Sequence, residues 1–132
     1  MNVLSLFDGM SCGQLALQRA NIKVDNYYAS EIDKYAIQIA QKNFPNTMQI
    51  GDVQDLVIPN YREGSIDLLV GGSPCQGFSF AGRQLNFTDP RSKLFFEFVK
   101  VLEKLKPKHF LLENVRMKKE SEHIITKYLG VE

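Results

Sequence analysis

The sequence predicts an α/β fold, a Rossmann-like doubly wound parallel sheet of about five strands, and two observations predict it. Five short runs are apolar with little polar alternation, as strands covered on both faces read. Stretches with helical spacing separate most of them, the pattern of a sheet built from right-handed βαβ crossovers.

The first strand is Val3 to Phe7. Asp8 to Gly13 is a turn, and Gln14 to Ala20 carries Leu15 and Leu17 in a helical stretch that Asn21 stops. Val24 to Ser30 is the second strand, ending at Glu31. Asp33 caps the next helix, where Tyr35, Ala36, Ile39, Ala40 and Phe44 recur at helical spacing before Pro45-Asn46. Met48 to Ile50 is the third strand, ending at Gly51-Asp52-Val53. Pro59 to Gly64 is a loop or a single turn, and Ser65 to Val70 the fourth strand. Residues 71–91 are rich in Gly, Ser, Pro, Asn and Asp and have no period. A loop of that length in a small domain is usually functional. Ser92 caps a helix to about Leu105, with Leu94, Phe95, Phe98, Val101, Leu102 and Leu105 on its apolar face, and Pro107 closes it. Phe110 to Leu112 is the fifth strand, and a last helix runs from about Met117 to Leu129, with Gly130 as its stop.

Length and composition set the frame. At 132 residues the chain fits one domain, large enough to bury about two-thirds of its unfolded surface. Hydrophobic residues make up 44% and charged residues 23%, ordinary for a soluble globular protein. A net charge of +1 gives no nucleic-acid signature for the whole, although the sum hides any local basic stripe. Cys12 and Cys75 are far apart, and with only His109 and His123 beside them no zinc site is expected. They form no disulfide framework, which fits a reducing, cytoplasmic setting. No signal peptide and no bilayer-spanning apolar run are read.

The strand ends carry the chemistry. Cys75 follows Gly71-Gly72-Ser73-Pro74 at the end of the fourth strand, a loop that presents a lone thiol. Such a cysteine is either a small buried hydrophobe or a nucleophile, and the flanking glycines and prolines argue against a core strand. Glu113 ends the fifth strand and is placed to act as an acid beside it, unless it is a solvated carboxylate near Arg116 and Lys118. The turn Phe7-Asp8-Gly9-Met10-Ser11-Cys12-Gly13 lets backbone approach a ligand at a helix start, and a purely structural turn explains it as well. Glu31 suits ribose hydroxyls and Asp52 an adenine amino group. Singly each reads as a cap or a solvated acid, while together with the turn they point to an adenosine-containing cofactor. Arg83, Arg91 and Lys93 stand in or beside the long loop, and Arg91 is the best phosphate candidate.

These residues resemble the cytosine-C5 methyltransferase family over nearly the whole chain. Phe7 to Gly13 is similar to its methionine-side cofactor motif, Glu31-Ile32-Asp33 to its ribose acid and adenine-stacking neighbour, and Gly51-Asp52-Val53 to its adenine-contacting motif. Gly72 to Ser79 resembles the catalytic Pro-Cys motif, Arg91 to Phe95 the helix start after its mobile loop, and Glu113-Asn114-Val115 the Glu-Asn-Val motif. The Pro-Cys-Gln and Glu-Asn-Val pair at this spacing is the specific part. Ser11 stands where many members have glycine.

The resemblance implies S-adenosylmethionine as methyl donor, held by Phe7, Gly9, Met10, Ser11, Cys12, Glu31, Ile32, Asp52, Val53, Pro74 and Leu94. It implies Cys75, Glu113 and Asn114 as catalytic residues, and Ser79, Arg83 and Arg91 as DNA contacts around a flipped cytosine, with residues 79–91 as the closing loop. It also implies that residues 1–132 are the N-terminal part of a catalytic domain, because the family continues into an Arg-rich strand, a target-recognition region and a final cofactor motif. A second chain or a missing C-terminal segment would supply those. The expected location is cytoplasmic, at the nucleoid for a bacterial or phage protein. A tRNA cytosine-C5 methyltransferase shares these motifs, a non-catalytic cofactor- or partner-binding fragment would keep them, and an unrelated nucleotide-binding protein leaves Cys75 and Glu113 unexplained.

Overall fold

The computed structural model describes residues 1–56, 62–73, 90–114, 116 and 119–131. Along them run β1 (Asn2–Leu6), α1 (Cys12–Arg19), β2 (Asn26–Ser30), α2 (Lys34–Asn43) and β3 (Met48–Gln49). A 3-10 turn (Val53–Asp55), β4 (Leu68–Gly71), α3 (Pro90–Leu105), β5 (His109–Leu112) and α4 (Lys119–Leu129) follow. The strands form one five-stranded parallel sheet, as the apolar runs predicted, and their order is β3-β2-β1-β4-β5.

Side-chain alternation divides the helices between the two faces. Leu4 and Leu6 of β1 and Leu69 of β4 point to one face, where Phe98, Val101 and Leu105 of α3 cover them in the main core. Val3 points to the other face and packs with Tyr27 and Ala29 of β2 and Leu17 of α1. A smaller cluster of Phe95, Val99 and Ile125 joins α3 to α4. Winding reverses between β1 and β4, and at such a switch the crevice beyond the strands' carboxyl ends binds ligands. Two helix stops follow the expected chemistry. Asn21 (φ 56) and Gly130 (φ 66) are left-handed, and the following N–H groups reach back to Leu17 and Thr126 carbonyls, closing both helix ends.

The differences from expectation are local. α3 begins at Pro90, so Ser92 lies inside its first turn and is not the cap. A proline at the first helical position loses no hydrogen bond, since the opening N–H groups have no intrahelical partner. α1 starts at Cys12 rather than Gln14, and β4 at Leu68 rather than Ser65. The 3-10 turn was not foreseen, being too short to show a period. The expected α2 face is only partly inward: Ala40 is buried, while Tyr35 and Ile39 are exposed. The loop read over 71–91 lies largely outside the described residues, as does the first half of the turn read over 59–64.

Candidate active site at the carboxyl edge of the sheet

Register brings the candidate residues to one edge. Leu6 is level with Ser30 and with Gly71, and Gly71 with Leu112. The next residues of four strands, Phe7, Glu31, Gly72 and Glu113, therefore emerge side by side.

The β1–α1 turn alternates left-handed residues, Phe7 (φ 57), Gly9 (φ 58) and Ser11 (φ 66). Residues with a Cβ pay for that conformation, and it persists where the surroundings over-determine it. Here the Asp8 N–H donates to the Ser30 carbonyl at 3.1 Å, the Ser11 N–H to the Asp8 carbonyl at 3.1 Å, and the Gly9 N–H to Glu31 Oε2 at 2.7 Å. Glu31 Oε1 accepts from Ile32 and Asp33 N–H at 2.7 and 2.9 Å. One carboxylate thus ties the ends of β1 and β2 together. Asp33 caps α2 as expected, accepting from Tyr35 and Ala36 N–H.

The cofactor candidates differ in what they expose. Met10 and Cys12 are exposed, Ile32 is 73% exposed, and Phe7 is half-buried against the main core. Ser11 is fully buried: its hydroxyl accepts from Gln14 Nε2, its N–H donates to the Asp8 carbonyl, and its carbonyl accepts from the Gln14 and Leu15 N–H groups. Asp52 Oδ1 caps the 3-10 turn through Gln54 N–H at 2.9 Å. Val53 is buried in the main core, which leaves its backbone for any contact. Leu94 is half-buried against the same core. Beginning at the turn, a groove of about 410 Å³ runs between α1 and α2, lined by Met10, Ser11, Cys12, Leu15, Gln18, Ile39, Asn43 and Phe44. The sequence reading missed it, although apolar residues on both helices were its signal.

At the other half of the edge, the Glu113 N–H donates to the Gly71 carbonyl at 2.8 Å, extending the β4–β5 ladder. A Cβ on Gly71 would lie 3.0 Å from the Phe98 ring, and one on Gly72 2.9 Å from Glu113 Oε2. The Glu113 carboxylate therefore lies against the Gly72 backbone, and only glycine leaves it that room. Ser73 is buried next in the chain, and Asn114 half-buried. Pro74, Cys75, Ser79 and Arg83 lie outside the described residues. Arg91 sits in the first turn of α3, its side chain also outside them. Among the described residues, no three His, Cys, Asp or Glu side chains cluster for a metal ion, and no helix is long and apolar enough to cross a membrane.

The family model described as C-5 cytosine-specific DNA methylase matches residues 1–129. Orphan methyltransferase M.SPRI of Bacillus phage SPR is 41% identical over 118 residues, covering 88% of this chain and 26% of that protein. Type II methyltransferase M.Eco47II of Escherichia coli is 42% identical over 115 residues, 86% of this chain and 27% of that protein. Type II methyltransferase M.Sau96I of Staphylococcus aureus is 42% identical over 118 residues, with 87% and 27% covered. The chain spans about a quarter of the length of these curated relatives.

Proposed function

The chain belongs to the C-5 cytosine-specific DNA methylase family, and from that premise we propose that it is the cofactor-binding and catalytic part of a DNA cytosine-C5 methyltransferase. The observation that carries this is the Glu113 carboxylate, set against Gly72 at the strand end that leads directly into Pro74-Cys75. A carboxyl and a thiol from adjacent strands then serve one substrate.

Cytosine C5 is a weak nucleophile. The Cys75 thiolate forms a bond to C6 of a cytosine flipped out of the duplex, while Glu113 hydrogen-bonds N3 and delivers a proton there. The ring electrons move to C5, which becomes nucleophilic. S-adenosylmethionine supplies the electrophilic methyl group when bound. Loss of the C5 proton to a base re-forms the C5–C6 double bond as the Cys75–C6 bond breaks, the N3 proton returns to Glu113, and the thiolate is regenerated. Asn114 orients the Pro74-Cys75 backbone, and Ser79, Arg83 and Arg91 contact the DNA.

The residues at the edge fit the donor. Three backbone N–H bonds fix the Glu31 carboxylate, whose remaining lone pair, on Oε2, suits a ribose hydroxyl. Beside it, Ile32 holds an apolar side chain in water at 73% exposure, a surface an adenine ring would cover. Asp52 offers its second carboxylate oxygen to the adenine amino group, and the Phe7–Cys12 turn, Pro74 and Leu94 complete the pocket. Target recognition belongs to the part of the enzyme beyond this chain, on a continuing segment or a second polypeptide.

Transfer of a labelled methyl group to duplex DNA tests the reading. Residues 1–129, joined to the portion of M.Eco47II outside the match, are expected to methylate cytosine, and Cys75→Ser to abolish it. The 132-residue chain alone is expected to give little or no turnover. Full activity in Cys75→Ser would refute the nucleophile, and robust turnover by the chain alone would refute the need for a completing part.

A further inference from the structure

We propose that Asp8 and Tyr27 form a part-buried positioning pair that holds the β1–α1 turn in the shape that binds cofactor. The inference rests on the cofactor reading above and adds two residues with no direct contact to the cofactor.

Asp8 stands between the left-handed residues Phe7 and Gly9, three residues before the left-handed Ser11. Its N–H and carbonyl are both engaged, with Ser30 and Ser11. Its side chain is engaged as well: the Tyr27 hydroxyl donates to Asp8 Oδ1 at 2.8 Å. Tyr27 lies in β2, is 3% exposed, and packs with Val3 and Ala29 on the α1 face. Its hydroxyl is 3.4 Å from where a Cβ on Gly13 would stand, so the phenol reaches up the sheet to pass beneath the first turn of α1.

Two features separate this pair from an ordinary buried tyrosine. Among the described residues, Asp8 Oδ2 is buried and meets no hydrogen-bond partner. A buried polar oxygen left unmatched is costly, and its presence calls for a reason. The phenol is also maintained as a donor. Burial first, and then the negative charge of Asp8, raise its pKa well above the ordinary 10.0. The hydroxyl therefore clamps Asp8 from below while the Glu31 carboxylate clamps Gly9 from the side. Together they hold the strained turn before any ligand arrives, so binding need not pay for ordering it.

Amide hydrogen exchange on the 132-residue chain tests the clamp without cofactor. In Tyr27→Phe and Asp8→Ala, exchange at the Asp8 and Ser11 amides should quicken about tenfold relative to Leu4, a factor equal to ~1.4 kcal/mol and the usual size of one hydrogen bond. Asp8→Asn, which keeps an oxygen acceptor for the phenol, should retain the wild-type pattern. Unchanged exchange, or the same acceleration at Leu4, would overturn the clamp in favour of a merely structural tyrosine. Calorimetry with S-adenosylmethionine tests the consequence: about tenfold weaker binding in Tyr27→Phe and Asp8→Ala, and wild-type affinity in Asp8→Asn. A loosened turn with unaltered affinity overturns the positioning role. Absence of binding by the completed wild-type enzyme overturns the cofactor reading itself, and the exchange pattern still decides whether the pair holds the turn.

Discussion

Replacing Glu31 by glutamine probes the edge with almost no change of shape. The carboxylate accepts on both sides, Oε2 from Gly9 N–H at 2.7 Å and Oε1 from Ile32 and Asp33 N–H at 2.7 and 2.9 Å. Glutamine has one oxygen and one NH2, so one side must meet donor with donor. The better orientation keeps the oxygen toward Ile32 and Asp33 and abandons Gly9, the part-buried contact that ties β1 to β2. Losing a hydrogen bond to a charged acceptor costs ~1.5–3 kcal/mol. Glu31 is half-buried and water reaches part of it, which places the expected cost near the lower figure. For a domain between the sizes usually surveyed, each kcal/mol lowers Tm by about 3–5 °C, so a fall of about 5 °C is expected in thermal unfolding followed by circular dichroism. Asp33→Ala removes only the α2 cap and provides the comparison, at ~1 kcal/mol. A Tm for Glu31→Gln within 1 °C of wild type, roughly the scale of ~0.3 kcal/mol, would refute the claim that this carboxylate braces the turn.

Phe98 is fully buried among Leu4, Leu6 and Leu69, so Phe98→Ala should cost ~3–5 kcal/mol in denaturant unfolding; a loss below about 1 kcal/mol would mean that α3 does not seal this face. Gly72→Ala places a methyl 2.9 Å from Glu113 Oε2 and must push the carboxylate aside. Because that group is the end of a flexible side chain, stability should change little, while methyl transfer in the completed enzyme falls roughly 10–100-fold; equal losses of fold and activity would contradict it. Asp67 is held below its ordinary 3.8 first by the hydrogen bond from Lys108 and then by Asn2 N–H. A lowered folded pKa gives stability that is full above 3.8 and lost as pH falls through the folded value. Lys108→Ala should therefore narrow the stability difference between neutral and acidic solution, as read by unfolding at a series of pH values.

The strands were legible because parallel strands between helix layers must be apolar on both faces, and Val3 to Leu6 and Leu68 to Gly71 are. The helix stops were legible because Asn21 and Gly130 are residue types that tolerate positive φ. Glu31, Asp52 and Glu113 could be placed on one edge because each stands at or just beyond the end of a strand read from the sequence. What each does there could not be read, since Glu31 and Asp52 are occupied by backbone N–H groups whose positions depend on the tertiary fold. The Pro90 start of α3 was hidden by a plausible serine cap two residues on. Tyr27 was read only as a strand residue, and its partnership with Asp8 needs the β1–β2 register. The groove between α1 and α2 depends on how the two helices pack, which no single periodicity contains.

The central claim is that Cys75 attacks a cytosine while Glu113 assists, and trapping that bond is its most direct measurement. Duplex DNA carrying 5-fluorocytosine at the target, mixed with S-adenosylmethionine and the completed enzyme, blocks release because C5 holds fluorine where a proton would leave. Mass spectrometry of the digested complex should find the oligonucleotide on the peptide containing Cys75, with much less adduct in Glu113→Gln and none in Cys75→Ser. An adduct on Cys12, or one that survives Cys75→Ser, would contradict it.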